Sequence, residues 1–192
     1  MKQCTILAGC ILLLLCLLSC TDTAKDTPAN PSQPPSADTQ AEVWLPKMET
    51  EDLDGNSVSG RDLLSEKLTV INLWGTWCPP CVEELPELEI LNQAYASQGV
   101  TIVGVLQDGV DDSGQPHEEN IATAKILLED AGVSYPIILP DTVFTQEVLS
   151  QVYAFPTTFF LDHEGTVLKT VVGSNTAEKW SEIVDEVLQS LS

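Results

Sequence analysis

Asn72-Leu73-Trp74-Gly75-Thr76-Trp77-Cys78-Pro79-Pro80-Cys81 is the stretch from which the rest of this chain can be read. The apolar run Leu68 to Trp74 reads as a buried strand, Gly75 and Thr76 interrupt it, and a helical pattern follows Cys81. A Cys-x-x-Cys at a strand-to-helix junction reads as a redox dithiol, with a spacing that lets a disulfide close across the first helical turn. Pro79 and Pro80 fit there because first-turn N–H groups have no intrahelical partner to lose. Cys78 then stands at the positive end of the helix, where a thiolate is favoured over a thiol. Cys81 keeps an N–H that can point back at the Cys78 sulfur; Pro79 and Pro80 offer none.

The chain has 192 residues, enough for one well-cored domain with additions. Its 29 acids against 8 bases give a net charge of −21, which argues against nucleic acid or a bare anionic bilayer as partner. Of the six cysteines, Cys4, Cys10, Cys16 and Cys20 lie in the first twenty residues, so the body holds only Cys78 and Cys81.

The N-terminal stretch has the shape of a secretory signal: Lys2, then an apolar run from Ile6 to Leu18 that is short for a membrane span. It ends Leu17-Leu18-Ser19-Cys20, which resembles the lipobox of bacterial lipoproteins. That resemblance implies cleavage after residue 19 and lipid on Cys20. An ordinary signal peptide with an incidental cysteine, or a short membrane anchor, are the other readings. Residues 20–40 are expected to form a flexible tether, since Pro28, Pro31, Pro34 and Pro35 stand among Ser, Thr, Ala, Asn and Asp, with nothing to bury.

The folded domain is expected over residues 41–192. Trp44, Leu45 and Met48 are candidate core residues, and Leu53-Asp54-Gly55-Asn56 reads as a hairpin turn. Val58 to Leu64 follows, with Ser59 able to cap a helical turn. A helix from Pro79 to about Ser97 would face inward with Cys81, Leu85, Leu88, Leu91 and Tyr95, carry Pro86 inside it, and end at Gly99. Thr101 to Leu106 reads as a buried strand and Gln107 to Glu119 as an exposed loop. Glu118 to Ala131 is a helix closed by Gly132, Tyr135 to Leu139 a short strand, and Thr145 to Val152 a short helix. Thr157 to Leu161 and Val167 to Val172 form a hairpin. Thr176 caps a last helix that buries Trp180, Ile183, Val184, Val187 and Leu191. The order implies an α/β fold: a central mixed sheet, parallel where helices intervene, flanked by helices, with an added N-terminal β-hairpin.

Trp77-Cys78-Pro79-Pro80-Cys81, Phe155-Pro156-Thr157-Thr158-Phe159 and Asp162-x-x-Gly165 together resemble the thioredoxin superfamily. Asn72 to Trp77, Glu83-Glu84-Leu85-Pro86 and the Leu53-Asp54-Gly55 turn are similar to its membrane-tethered extracytoplasmic TlpA/ResA-like branch. The resemblance runs from about Trp44 to Leu191. It implies that Cys78 is the nucleophile, that Cys81 resolves the mixed disulfide, and that Pro156 is a cis-proline shaping a substrate groove flanked by Trp77 and Phe155. It implies no cofactor beyond the Cys78–Cys81 disulfide. It favours a reductant in the bacterial cell envelope, fed by a membrane thiol donor and acting on disulfides of envelope proteins or apocytochrome c partners.

Two departures bear on the chemistry. Asn72 stands where thioredoxins carry a buried aspartate, and Pro79 where some ResA-like members carry a glutamate. Glu83 and Glu84 are the nearest acids in sequence, and the expectation for both is a solvated helix surface, with at most a weak modulating role shared with Pro79 and Pro80. Structural zinc needs about four ligands and the body offers only His117 and His163 besides the dithiol; both are expected to face solvent. A copper-binding chaperone of the same fold is the alternative from another class, and a disulfide-forming oxidant the alternative within this one.

Overall fold

The computed structural model describes residues 43–191; the expected signal peptide, Cys20 and the tether lie outside them. Strands β1 (Glu49–Glu51) and β2 (Ser57–Ser59) form an antiparallel hairpin. Gly55 takes φ +79° in its turn, a conformation that suits a residue without Cβ. The Asp52 carboxylate accepts from Asp54 N and Asn56 N at 2.8 and 2.9 Å, closing that turn.

The main sheet has five strands in the order β5-β4-β3-β6-β7: β3 (Leu68–Trp74), β4 (Val100–Leu106), β5 (Ile137–Ile138), β6 (Thr157–Leu161) and β7 (Val167–Val172). β4 lies parallel to β3 and β5, whereas β6 runs antiparallel to β3 and to β7. The expected mixed sheet and N-terminal hairpin are found, but β6, although a helical segment separates it from β5, runs antiparallel to β3 rather than parallel. All seven residues of β3 are buried, as a central strand covered on both faces requires.

Side-chain alternation divides the core. Leu68, Val70 and Trp74 pack with α1 (Pro79–Tyr95), α2 (Glu118–Ala131) and α4 (Ala177–Ser190). Ile71 and Leu73 face the opposite way, onto Trp44, Leu45, Met48 and Phe144, the last from α3 (Thr142–Glu147). Trp44 meets Phe144 edge to face at 5.0 Å between centroids.

Several boundaries differ from expectation, each for a local reason. Ser59 belongs to β2 and its hydroxyl donates to Glu49, so it caps nothing. α1 gives way at Ala96–Gln98 to a 3-10 turn that ends at Gly99, φ +81°. The expected strand from Tyr135 to Leu139 pairs only at Ile137–Ile138. α3 starts three residues earlier than the expected Thr145 because the Asp141 carboxylate accepts from Phe144 N at 2.7 Å and fixes its first turn. Leu191 falls beyond α4 and is exposed, and Leu188 packs against the core from the helix's last turn. Among the described residues no helix is long and apolar enough to cross a membrane.

Candidate active site

β3 delivers the chain to the site. It ends at Trp74, and Cys78 N donates to Gly75 O at 3.2 Å, which folds the turn that starts α1. Cys78 is the N-cap residue of α1 in an extended conformation, and Pro79 and Pro80 occupy the first two helical positions. The Cys78 carbonyl accepts from Cys81 N at 3.0 Å and Val82 N at 3.1 Å. Cys78 and Cys81 are joined in a disulfide, Cα–Cα 5.3 Å, within the reach such a bond needs. Both cysteines are buried, at 4% and 1% exposure, whereas Pro79 and Pro80 are exposed.

The Phe155–Pro156 peptide bond is cis. Trp77 is 57% exposed, and its ring meets that of Phe155 edge to face at 5.3 Å. These two aromatics, expected to flank one groove, therefore touch. Pro156 O accepts from Gly173 N at 2.9 Å, and the Thr157 hydroxyl donates to Ala154 O at 2.8 Å. Among the described residues neither backbone polar group of Phe155 has a hydrogen-bond partner. The same loop carries Tyr153, which is 89% exposed.

Glu83 and Glu84 part company. Glu83 is exposed, as expected, but Glu84 is 1% exposed and corrects the expectation of a solvated residue. It lies one helical turn beyond Cys81 on the buried face of α1. Its carboxylate accepts from Asn175 N at 2.7 Å, Trp180 Nε1 at 3.0 Å and Asn72 Nδ2 at 3.1 Å. Asn72 Nδ2 also donates to Thr158 Oγ1 at 3.0 Å, so the amide links the carboxyl to the strand that follows Pro156. Burial pushes the Glu84 carboxyl up to about 7, against the opposing pull of these three donors. A carboxyl poised there exchanges protons readily at neutral pH. The signal that would have found it is the pairing of Asn72, a polar residue in the middle of a buried strand, with an acid one turn past the dithiol: a buried amide needs a partner.

The segment expected to be a uniformly exposed loop is divided. Residues 111–116 are exposed, but Gln107 and Asp108 fold back on the dithiol turn. Trp77 Nε1 donates to Gln107 Oε1 at 3.3 Å, and Thr76 donates to the Asp108 carboxylate. His117, expected in solvent, is half buried and caps α2, its Nδ1 accepting from Asn120 N at 3.4 Å. His163 is exposed, beside Glu66 and Lys67 at the start of β3. The seven residues of β3 put it about 20 Å from the strand end that carries Cys78, too far to share a metal ion with the dithiol. Among the described residues no cluster of three His, Cys, Asp or Glu side chains is placed to hold a metal ion.

Comparison with known proteins agrees with this geometry. Residues 43–170 match the model of the AhpC/TSA family. The chain is 30% identical over 135 residues to the thiol-disulfide oxidoreductase ResA of Halalkalibacterium halodurans, covering 70% of each chain. Among solved structures, it is similar to a thiol:disulfide interchange protein of the thioredoxin family from Chlorobium tepidum TLS. That match has TM-score 0.62 and 26% identity, over 79% of this chain and 99% of that one. StoA from Bacillus subtilis matches with TM-score 0.54 and 26% identity, over 71% of this chain and 95% of that one. The chain belongs to the AhpC/TSA family, within the thioredoxin superfamily, and is a TlpA/ResA-like thiol–disulfide oxidoreductase whose redox-active group is the Cys78–Cys81 disulfide.

Proposed function

We propose that this oxidoreductase works as a reductase of protein disulfides in the bacterial cell envelope, on envelope proteins or apocytochrome c partners. In the reduced enzyme the Cys78 thiolate attacks one sulfur of the substrate disulfide, and the other leaves as a thiolate. Cys81 then loses its proton and attacks the Cys78 sulfur. The second substrate thiolate departs, and the enzyme is left with the Cys78–Cys81 disulfide. Two electrons from a membrane thiol donor restore the dithiol. The observation that carries this reading is the placement of Cys78 at the N-cap of α1 with Cys81 one turn on, beside the Trp77–Phe155 pair and Pro156.

Glu84 is the group best placed to take the proton of Cys81, being buried one turn along the same helix face with its carboxyl near half protonation at pH 7. The substrate backbone pairs in extended form with Phe155, whose N–H and carbonyl are free for it, and its side chains rest on Trp77 and Phe155. The net charge of −21 favours neutral or basic partners. The N-terminal segment adds the anchor: residues 1–19 as a signal peptide, Cys20 lipidated, and residues 20–40 as a tether holding the domain outside the membrane.

The test is equilibration of the full chain with glutathione redox buffers, together with reduction of insulin as a model substrate. A reductase has a potential below the glutathione pool and reduces insulin with catalytic turnover. A strongly oxidising potential reverses the assignment to disulfide formation.

A further inference from the structure

A second acid approaches the dithiol from outside α1. Asp108, in the turn after β4, accepts from Thr76 N through Oδ1 at 3.1 Å and from the Thr76 hydroxyl through Oδ2. It is itself held, because Asn120 Nδ2 in the first turn of α2 donates to Asp108 O at 2.8 Å. Its neighbour Gln107 accepts from the Trp77 indole, whose ring lies so close over Gly75 that a Cβ there would stand 2.7 Å from Trp77 Nε1. The turn from Gly75 to Cys78 is thus bounded by its own hydrogen bond, Cys78 N to Gly75 O, and by two side chains from another loop. Thr76 and Trp77 have no helix or strand of their own to fix them.

We infer that Asp108 is a positioning residue for thiol–disulfide exchange: by gripping both donors of Thr76 it fixes the turn that sets Cys78 at the N-cap of α1. The inference rests on the exchange reading above and names a residue that acts on Cys78 only through Thr76. Cys78 sits at the N-cap with no side-chain cap hydrogen bond of its own, so once its bond to Cys81 is reduced its sulfur is aligned by the backbone before it. Loosening that backbone costs in-line alignment with a substrate sulfur and withdraws the sulfur from the α1 N–H groups that favour its thiolate.

The experiment uses the reduced full chain and two readouts: the rate of oxidation by hydroxyethyl disulfide, and the pH midpoint of Cys78 alkylation by iodoacetamide. Asp108→Ala should slow oxidation about tenfold or more and raise the midpoint. Asp108→Asn carries no charge, but its amide offers an acceptor to Thr76 N–H and a donor to the hydroxyl oxygen, so it should restore the rate to within about threefold of wild type. Thr76→Val, which keeps only the backbone bond, should fall between them. Equal rates and midpoints for Asp108→Ala and Asp108→Asn would overturn the inference, since charge and not geometry would then be at work. So would an Asp108→Ala protein indistinguishable from wild type. If Asp108→Ala does not fold, Thr76→Val decides: a rate and midpoint equal to wild type overturn the inference, and a slower rate with a raised midpoint supports it. A wild-type chain that fails to react with hydroxyethyl disulfide overturns the exchange reading itself, a result distinct from all of these.

Discussion

Glu84 and Glu89 lie five residues apart on α1, both are buried, and their carboxyls are driven in opposite directions. Burial acts to raise both. At Glu89 it is outweighed by donors: Ser134 N and Oγ at 2.8 Å each, Gln93 Nε2 at 2.9 Å and Asn92 Nδ2 at 3.4 Å, so that carboxyl is held below its ordinary value. At Glu84, one turn past Cys81 and more deeply buried, three donors do not match the cost of desolvation, and the carboxyl rises to about 7. Hydrogen bonding alone therefore does not fix the role of a buried acid. Glu89 ties α1 to the turn before β5, whereas Glu84 is left able to titrate where thiol chemistry runs.

The largest expected consequence is in the rate of exchange. Glu84→Gln should slow resolution of the mixed disulfide by Cys81 about 100-fold at pH 7, the scale of one lost general base. Glu89→Gln should leave that rate within about twofold, because it sits away from the proton in question. Stopped-flow oxidation of the two reduced variants measures both, and a Glu89 effect as large as that of Glu84 would erase the distinction.

Stability against pH gives the next contrast, with opposite signs. The folded-state value of Glu84 is raised from 4.5 to about 7, so the native state holds this proton more tightly than the unfolded chain. That contribution, about 3 kcal/mol for a shift of this size, is complete below pH 4.5 and is lost as pH rises through about 7. Glu89 is lowered, so its contribution is present above the unfolded value of 4.5 and is lost as pH falls through the folded one. Urea unfolding from pH 3 to 9 should therefore show a neutral-range decline that Glu84→Gln removes and an acid-range decline that Glu89→Gln removes.

Truncation sharpens the structural side. Glu89→Ala removes the charged acceptor shared by Ser134 N and its hydroxyl and should cost about 2 kcal/mol in urea unfolding, the scale of hydrogen bonds to a charged group. The smallest effect belongs to Glu83→Gln. That residue is exposed next to Glu84 in sequence, and its loss should leave exchange rate and unfolding midpoint unchanged within error.

The contrast also marks where reading the sequence succeeds and where it stops. The β3 strand, the dithiol turn and both hairpins depend on apolar period, turn residues and motif spacing, all local, and all were legible; that Trp77 and Phe155 stand at one groove came only from the family resemblance, and their ring contact is a tertiary one across 78 residues. Glu84 was not, because what makes it unusual is assembled from Asn72, Asn175 and Trp180, the last 96 residues away. An acid on a helix gives no sign of its own that an indole and an amide will close over it; the one sign in the sequence was Asn72, a polar residue within a buried strand. Asp108 was missed likewise: in sequence it is one more acid in a polar run, and only the fold brings it to Thr76, 32 residues earlier. The early start of α3 could have been read from Asp141, since an aspartate after a proline is a local capping signal.

Everything in the proposed cycle depends on Cys78 attacking and Cys81 resolving. The most direct test is intact-mass analysis of Cys81→Ser after mixing with a disulfide-containing peptide at pH 7. One stable adduct per chain is expected, mapped by proteolysis to Cys78, and none with Cys78→Ser under the same conditions. An adduct on Cys81 in the Cys78→Ser protein, with none on Cys78 in its counterpart, would contradict that assignment.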